Sequence, residues 1–134
     1  MRYLSIFLIL LACNPSRDKT EEIVIVDTLK VSGTIYVNDS MNIVQNYTLY
    51  GIYNGRVNIQ GETRSSNSKV IVFDSIKIGI PQGYENGYLK FQVKVNGIKE
   101  TRTWICYGST PDTFKVSNKV FSNVIIYANS CVYN

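Results

Sequence analysis

The chain has 134 residues, with 14 Lys and Arg against 10 Asp and Glu and no histidine, a formal net charge of +4. That length suits one folded domain, and the interspersed charges give no basic block for nucleic acid. Without histidine the usual general base near neutral pH, Ser-His and Cys-His nucleophile pairs and most zinc sites are excluded. The carboxylates are scattered, only Glu21 and Glu22 being adjacent, and no Asp-x-Asp calcium loop occurs. We therefore expect no catalytic residue, no metal and no cofactor.

In chain order, Met1 and Arg2 precede an apolar run, Tyr3 to Ala12, interrupted only by Ser5. A helical bilayer span needs roughly 20 residues, so a run about half that long reads as a secretory signal. Its end, Leu10, Leu11, Ala12 and Cys13, resembles the lipobox of bacterial lipoproteins: an aliphatic residue, a tolerant position, a small residue, then cysteine. The resemblance covers the first 13 residues. It implies removal of a signal peptide, 1–12, and lipid on Cys13. Each buried methylene of such a lipid contributes about 0.8 kcal/mol, so two or three acyl chains would hold the protein to a membrane. Residues 13–22 then form the lipidated cysteine and a polar tether with Pro15. Asn14 stands where some Gram-negative lipoproteins carry an inner-membrane retention aspartate, which favours the outer membrane; its periplasmic or surface face stays open.

From Ile23 onward Val, Ile, Thr, Tyr and Phe dominate, and no window has an apolar face at helical spacing. Strands are predicted over 22–29, 31–37, 42–53, 56–64, 69–80, 87–95, 98–107, 113–120 and 122–127. So many short strands suggest one all-β domain, 23–134, built as an antiparallel β-sandwich of about 7–9 strands. Val31, Ser32, Gly33, Thr34, Ile35 and Tyr36 are similar to the first strand of transthyretin-like and carboxypeptidase-regulatory-like modules. That resemblance implies a transthyretin-like or immunoglobulin-like arrangement. Once Cys13 is assigned to lipid, Cys106 and Cys131 remain as the pair expected to bridge in an oxidising compartment.

Two Asn-Gly pairs predict tight type I′ hairpins. At Asn54-Gly55, pairing Tyr53 with Arg56 sets Ile52 against Val57 and Tyr50 against Ile59 as a core face. Alternation then sends Tyr47, Leu49 and Tyr53 outward beside Arg56, Asn58, Gln60 and Glu62. Two aromatic rings flanked by amides and charges would suit a sugar or a peptide. At Asn96-Gly97, pairing Val95 with Ile98 puts Leu89, Phe91, Val93 and Val95 inward. Trp104 then faces Leu89 on the core side. Glu100 and Arg102 also fall on that side, a conflict that either a place at the rim, where the two would pair, or a register-shifting bulge resolves; the rim is the expectation. A wider loop is expected over Pro81–Gly87.

Of five aspartates, four precede Ser or Thr, at Asp27, Asp39, Asp74 and Asp112. The first three continue with an aliphatic residue, a pattern that resembles O-glycan acceptor sites of Bacteroidota envelope proteins. Asp-Ser/Thr also marks turns, where both side chains bond local backbone. The function expected from the whole sequence is a non-enzymatic lipoprotein of the cell envelope. It would bind an envelope or extracellular protein or glycan, with the Tyr47–Leu49–Tyr53 surface as the candidate site. A structural or assembly subunit of an envelope complex is the alternative, as is an inhibitor of a hydrolase presenting the Pro81–Gly87 loop.

Overall fold

The computed structural model describes residues 22–134. The signal segment 1–12 and Cys13 therefore lie outside the described residues. The fold is all-β, with nine strands: β1 Ile25–Val37, β2 Ile43–Tyr53, β3 Val57–Ser65, β4 Val70–Pro81, β5 Tyr88–Lys99, β6 Arg102–Ser109, β7 Phe114–Lys115, β8 Val120–Ala128 and β9 Ser130–Tyr133. A short 3-10 turn, Val116–Asn118, leads into β8. Val, Ile and Tyr at alternate positions make these segments strands, because each can turn one face inward while the other meets water.

The strands form two sheets packed as a sandwich. One has the order β4-β1-β8; the other has the order β3-β2-β5-β6-β9, with β7 added to β5. Most pairs are antiparallel, as expected, but β1 and β8 run parallel. Leu29, Val31 and Ile35 of β1 and Ile76 and Ile78 of β4 point inward and are fully buried. They meet Leu49 and Tyr53 of β2 and Leu89, Phe91 and Val93 of β5, all equally buried. Each such side chain contributes about 1.5–3 kcal/mol by leaving water. Phe91, Phe114 and Phe121 close the core, with ring centroids 5.4 to 5.6 Å apart.

The β2–β3 hairpin inverts the faces predicted for it. Asn54 and Gly55 do take positive φ, at 52° and 68°, and the Arg56 amide donates to the Tyr53 carbonyl. Yet Tyr53 pairs with Val57 rather than Arg56, and Gly51 with Ile59. Arg56 is left out of the ladder, and the one-residue slip exchanges the two faces. Val57 and Ile59 then back the core beside Tyr53 and Gly51, while Asn58 and Gln60 oppose Ile52 and Tyr50.

The second predicted hairpin is absent at Asn96-Gly97. Strand β5 runs through both residues, and the chain turns at Glu100 and Thr101, with Lys99 opposite Arg102 and φ of 64° at Glu100. Gly97 is needed for approach rather than for turning. A Cβ there would stand 2.2 Å from the Ile43 carbonyl oxygen and 2.5 Å from the Met41 sulfur. Moving the turn to Glu100 exposes Glu100 and Arg102, which removes the conflict of charges on the core face. Trp104 is buried as expected but pairs with Gly97, not Leu89. The segments 22–29 and 31–37 merge into one strand, bulged between Val31 and Gly33. The predicted strand 113–120 shrinks to β7 and the 3-10 turn, and β9 is additional.

Candidate functional site

The surface predicted around Tyr47, Leu49 and Tyr53 does not exist. Their exposures are 3%, 0% and 0%. The Tyr53 hydroxyl donates to the Gly79 carbonyl at 2.7 Å, and its ring meets Tyr84 edge-on at 6.2 Å. Burial raises the phenol of Tyr47 and pushes that of Tyr53 well above the ordinary tyrosine range. Arg56, Asn58 and Gln60 are exposed, but the aromatic residue opposite Gln60 is the half-buried Tyr50, not one of the two tyrosines predicted to flank them. Tyr84 is turned in against Tyr53, so the Pro81–Gly87 loop does not present its own aromatic side chain as a protruding anchor.

The exposed apolar face lies on the other sheet. Register places Val70 of β4, Tyr36 of β1 and Tyr127 of β8 in one row, and Val72, Thr34 and Ile125 in the next. All five apolar members are exposed, Val72 most of all at 77% and Tyr127 at 59%. The rings of Tyr36 and Tyr127 stack, with centroids 5.2 Å apart and planes 19° from parallel. Scattered surface aliphatics are ordinary, whereas a contiguous block spanning three neighbouring strands is the kind of surface that interactions use.

Below this block the sheet bends into a groove of about 410 Å³, lined by Ser32, Gly33, Thr34, Val72, Asp74, Ser122 and Asn123 among others. The bend has a cause in each strand. The registers of β1 with β4 and of β1 with β8 both shift between Val31 and Gly33, and Ser75 and Asn123 take φ of 54° and 59°. Such left-handed conformations cost non-glycine residues on the order of 1 kcal/mol each and persist where neighbours hold them. Here the Ser75 amide donates to the Ser32 hydroxyl, and the Ser32 hydroxyl donates to Asp74 Oδ1, both at 2.9 Å. Ser75 Oγ donates to the same Oδ1 at 3.2 Å. Arg64, paired with Glu62 at 2.8 Å, donates to the Asp74 carbonyl from β3. One row beyond the groove, Lys30 and Lys77 oppose each other.

A second cavity, on the outer face of the larger sheet, is lined by Ile52, Tyr88, Gln92 and Thr113 among others and measures about 160 Å³. That is below the roughly 300 Å³ at which ligand pockets begin. The groove on the smaller sheet is the better candidate. Cys106 and Cys131 stand elsewhere, opposite each other on β6 and β9, with their sulfurs at the bonding distance of 2.06 Å. Thr28, Ser40 and Ser75, which follow aspartates, are exposed, and each precedes a fully buried residue: Leu29, Met41 and Ile76. The Asp27 carboxylate accepts from the Thr28 amide and pairs with Lys119 at 2.6 Å, and that of Asp74 accepts from the adjacent Ser75 and from Ser32 across the sheet.

Sequence reasoning missed this face because it depends on β1 and β8 pairing across some ninety residues. The local signal was present in Thr34–Tyr36 and Ile125–Tyr127, where apolar residues continue through positions that alternation assigns to the outside. No model of a protein family, no curated protein and no solved structure matches the chain.

Proposed function

We propose that this chain is a lipid-anchored protein of the bacterial cell envelope, processed before Cys13, whose β-sandwich is a non-enzymatic binding module. The Leu-Leu-Ala-Cys ending of a short apolar signal supports the anchor. The binding role rests on one observation, the contiguous exposed face formed by Val70, Val72, Tyr36, Ile125 and Tyr127. Its position supports an external partner. The tether enters at Ile25, and Tyr36 lies about 36 Å further along β1 at ~3.3 Å per residue. A domain held at its Ile25 end presents this face away from its own bilayer.

Radiolabelled palmitate is expected to enter the wild-type protein and not Cys13→Ser; equal labelling of both would refute the anchor. The binding role has its own test. Purified protein should adhere to isolated envelope or extracellular material through this face, and Val72→Lys should remove that adherence. With 77% of Val72 already in water, the thermal midpoint should move by less than about 2 °C. Undiminished adherence of Val72→Lys would assign binding to another surface.

A further inference from the structure

We infer that the partner of this face is a glycan chain, laid along β1 from the Tyr36–Tyr127 pair to the groove around Asp74. This rests on the binding role proposed above and names its ligand class. A sugar ring has two apolar faces and a rim of hydroxyls. It therefore needs a stacking surface beside fixed hydrogen-bonding groups, and this face offers both on one strand direction.

The stacking surface is Tyr127. Its ring is covered on one side by Tyr36 and stands on β8, an edge strand, with 59% of the residue exposed. The hydrogen-bonding groups are in the groove. Asp74 Oδ1 accepts from both Ser32 and Ser75, while Oδ2 has no partner among the described residues. Neither the Asn123 amide nor the Ser122 hydroxyl has a side-chain partner among the described residues, and both residues line the same groove. The free oxygen of Asp74 is thus held in place before any ligand arrives. The backbone of Asn123 is already set by the bulge of β8, so only its side-chain rotamer remains to be ordered on binding.

The spacing points to a chain rather than to a single sugar. Ser32 lies four positions before Tyr36 on β1, about 13 Å of strand, and between them Val72 and Ile125 flank Thr34 as a mainly apolar floor. A protein partner would find use for the aliphatics. It would also desolvate the Asp74 carboxylate and the Asn123 amide, which is costly unless each meets its own donor or acceptor. A hydroxyl-rich ligand supplies such partners along its whole length.

The test uses the processed full-length protein in detergent micelles. Affinity electrophoresis followed by calorimetry would be run against soluble β-glucan, xylan, mannan, chitin oligosaccharides and glycan strands released from peptidoglycan. Saturable binding to at least one of them is expected. Tyr127→Ala and Asn123→Ala should each weaken it about tenfold while unfolding stays cooperative, the midpoint falling by no more than about 8 °C as the Tyr36 stack or the left-handed Asn123 is lost. Asp74→Asn should do the same, with Asn123→Ala standing in if the bulge fails to form. Lys90→Ala, on the outer face of the larger sheet, should leave binding unchanged. Failure of every polysaccharide to bind overturns the inference, as does binding that survives both Tyr127→Ala and Asn123→Ala. If no glycan binds while Val72→Lys still abolishes adherence to envelope material, the glycan inference fails and the binding role stands.

Discussion

Gly33→Ala is expected to destabilise the domain by at least about 3 kcal/mol, or to prevent it from folding. The bulge of β1 brings its backbone against β8 so closely that a Cβ at Gly33 would lie 1.9 Å from the Val124 carbonyl oxygen and 2.8 Å from the Val124 amide nitrogen. Neither atom is the end of a flexible side chain. Both belong to a strand whose other side chains, Phe121, Val124 and Ile126, are locked in the core. Relief would require β8 to move away from β1, breaking the parallel ladder from Lys30 to Val37. Gly55→Ala separates this effect from backbone conformation alone. Gly55 has φ of 68° and nothing within 4 Å of an added Cβ, so only strain at positive φ opposes the change, at about 1 kcal/mol. Thermal unfolding of the two variants should put Gly33→Ala lower by about 10 °C or more. Equal midpoints would mean that β1 and β8 are not held as described.

The same bulge explains what could be read beforehand and what could not. The all-β class, the positions of β2, β3 and β4 to within a residue or so, and the buried face of Leu89, Phe91, Val93 and Val95 follow from composition and period-two alternation, which are local. Asn54-Gly55 identified a real turn with both residues at positive φ. A turn of given type still permits Tyr53 to pair with Arg56 or with Val57, and that single step decides which face of β2 is inside. Strand β2 is apolar on both faces, so its own sequence could not choose. The choice is made by β3, where Val57 and Ile59 require the side that Asn58 and Gln60 do not. Gly97 misled for a different reason. A glycine serves positive φ or close approach equally well, and only the distant Ile43 carbonyl distinguishes them. The tyrosines of the proposed binding face, Tyr36 and Tyr127, meet through a parallel pairing that no short-range pattern encodes.

Replacing Cys106 and Cys131 together by alanine should cost about 3.5 kcal/mol, and the loss should begin at β9. The bridge closes a sequence separation of 25 residues, which contains β7, the 3-10 turn and β8. Releasing that loop in the unfolded chain restores the conformational entropy behind the figure of about 3.5 kcal/mol. The folded state is affected unequally. Strand β9 has only four residues and lies at the sheet edge, paired on one side with β6. Besides the bridge it is held by Tyr133, whose ring lies 6.0 Å from Trp104 and 3.8 Å from the Arg102 guanidinium, and by the Asn134 amide donating to the Thr103 carbonyl. Val132 and Tyr133 remain substantially exposed, so little buried apolar area replaces the bridge. The double variant avoids the lone thiol that either single substitution would leave. Its midpoint should fall by about 15 °C. Hydrogen exchange should strip protection from Ser130 to Tyr133 well before the amides of β2 and β5, whose side chains form the centre of the core. A midpoint within about 3 °C of wild type, with β9 still protected, would show that packing of Tyr133 on Trp104 holds this edge without the bridge.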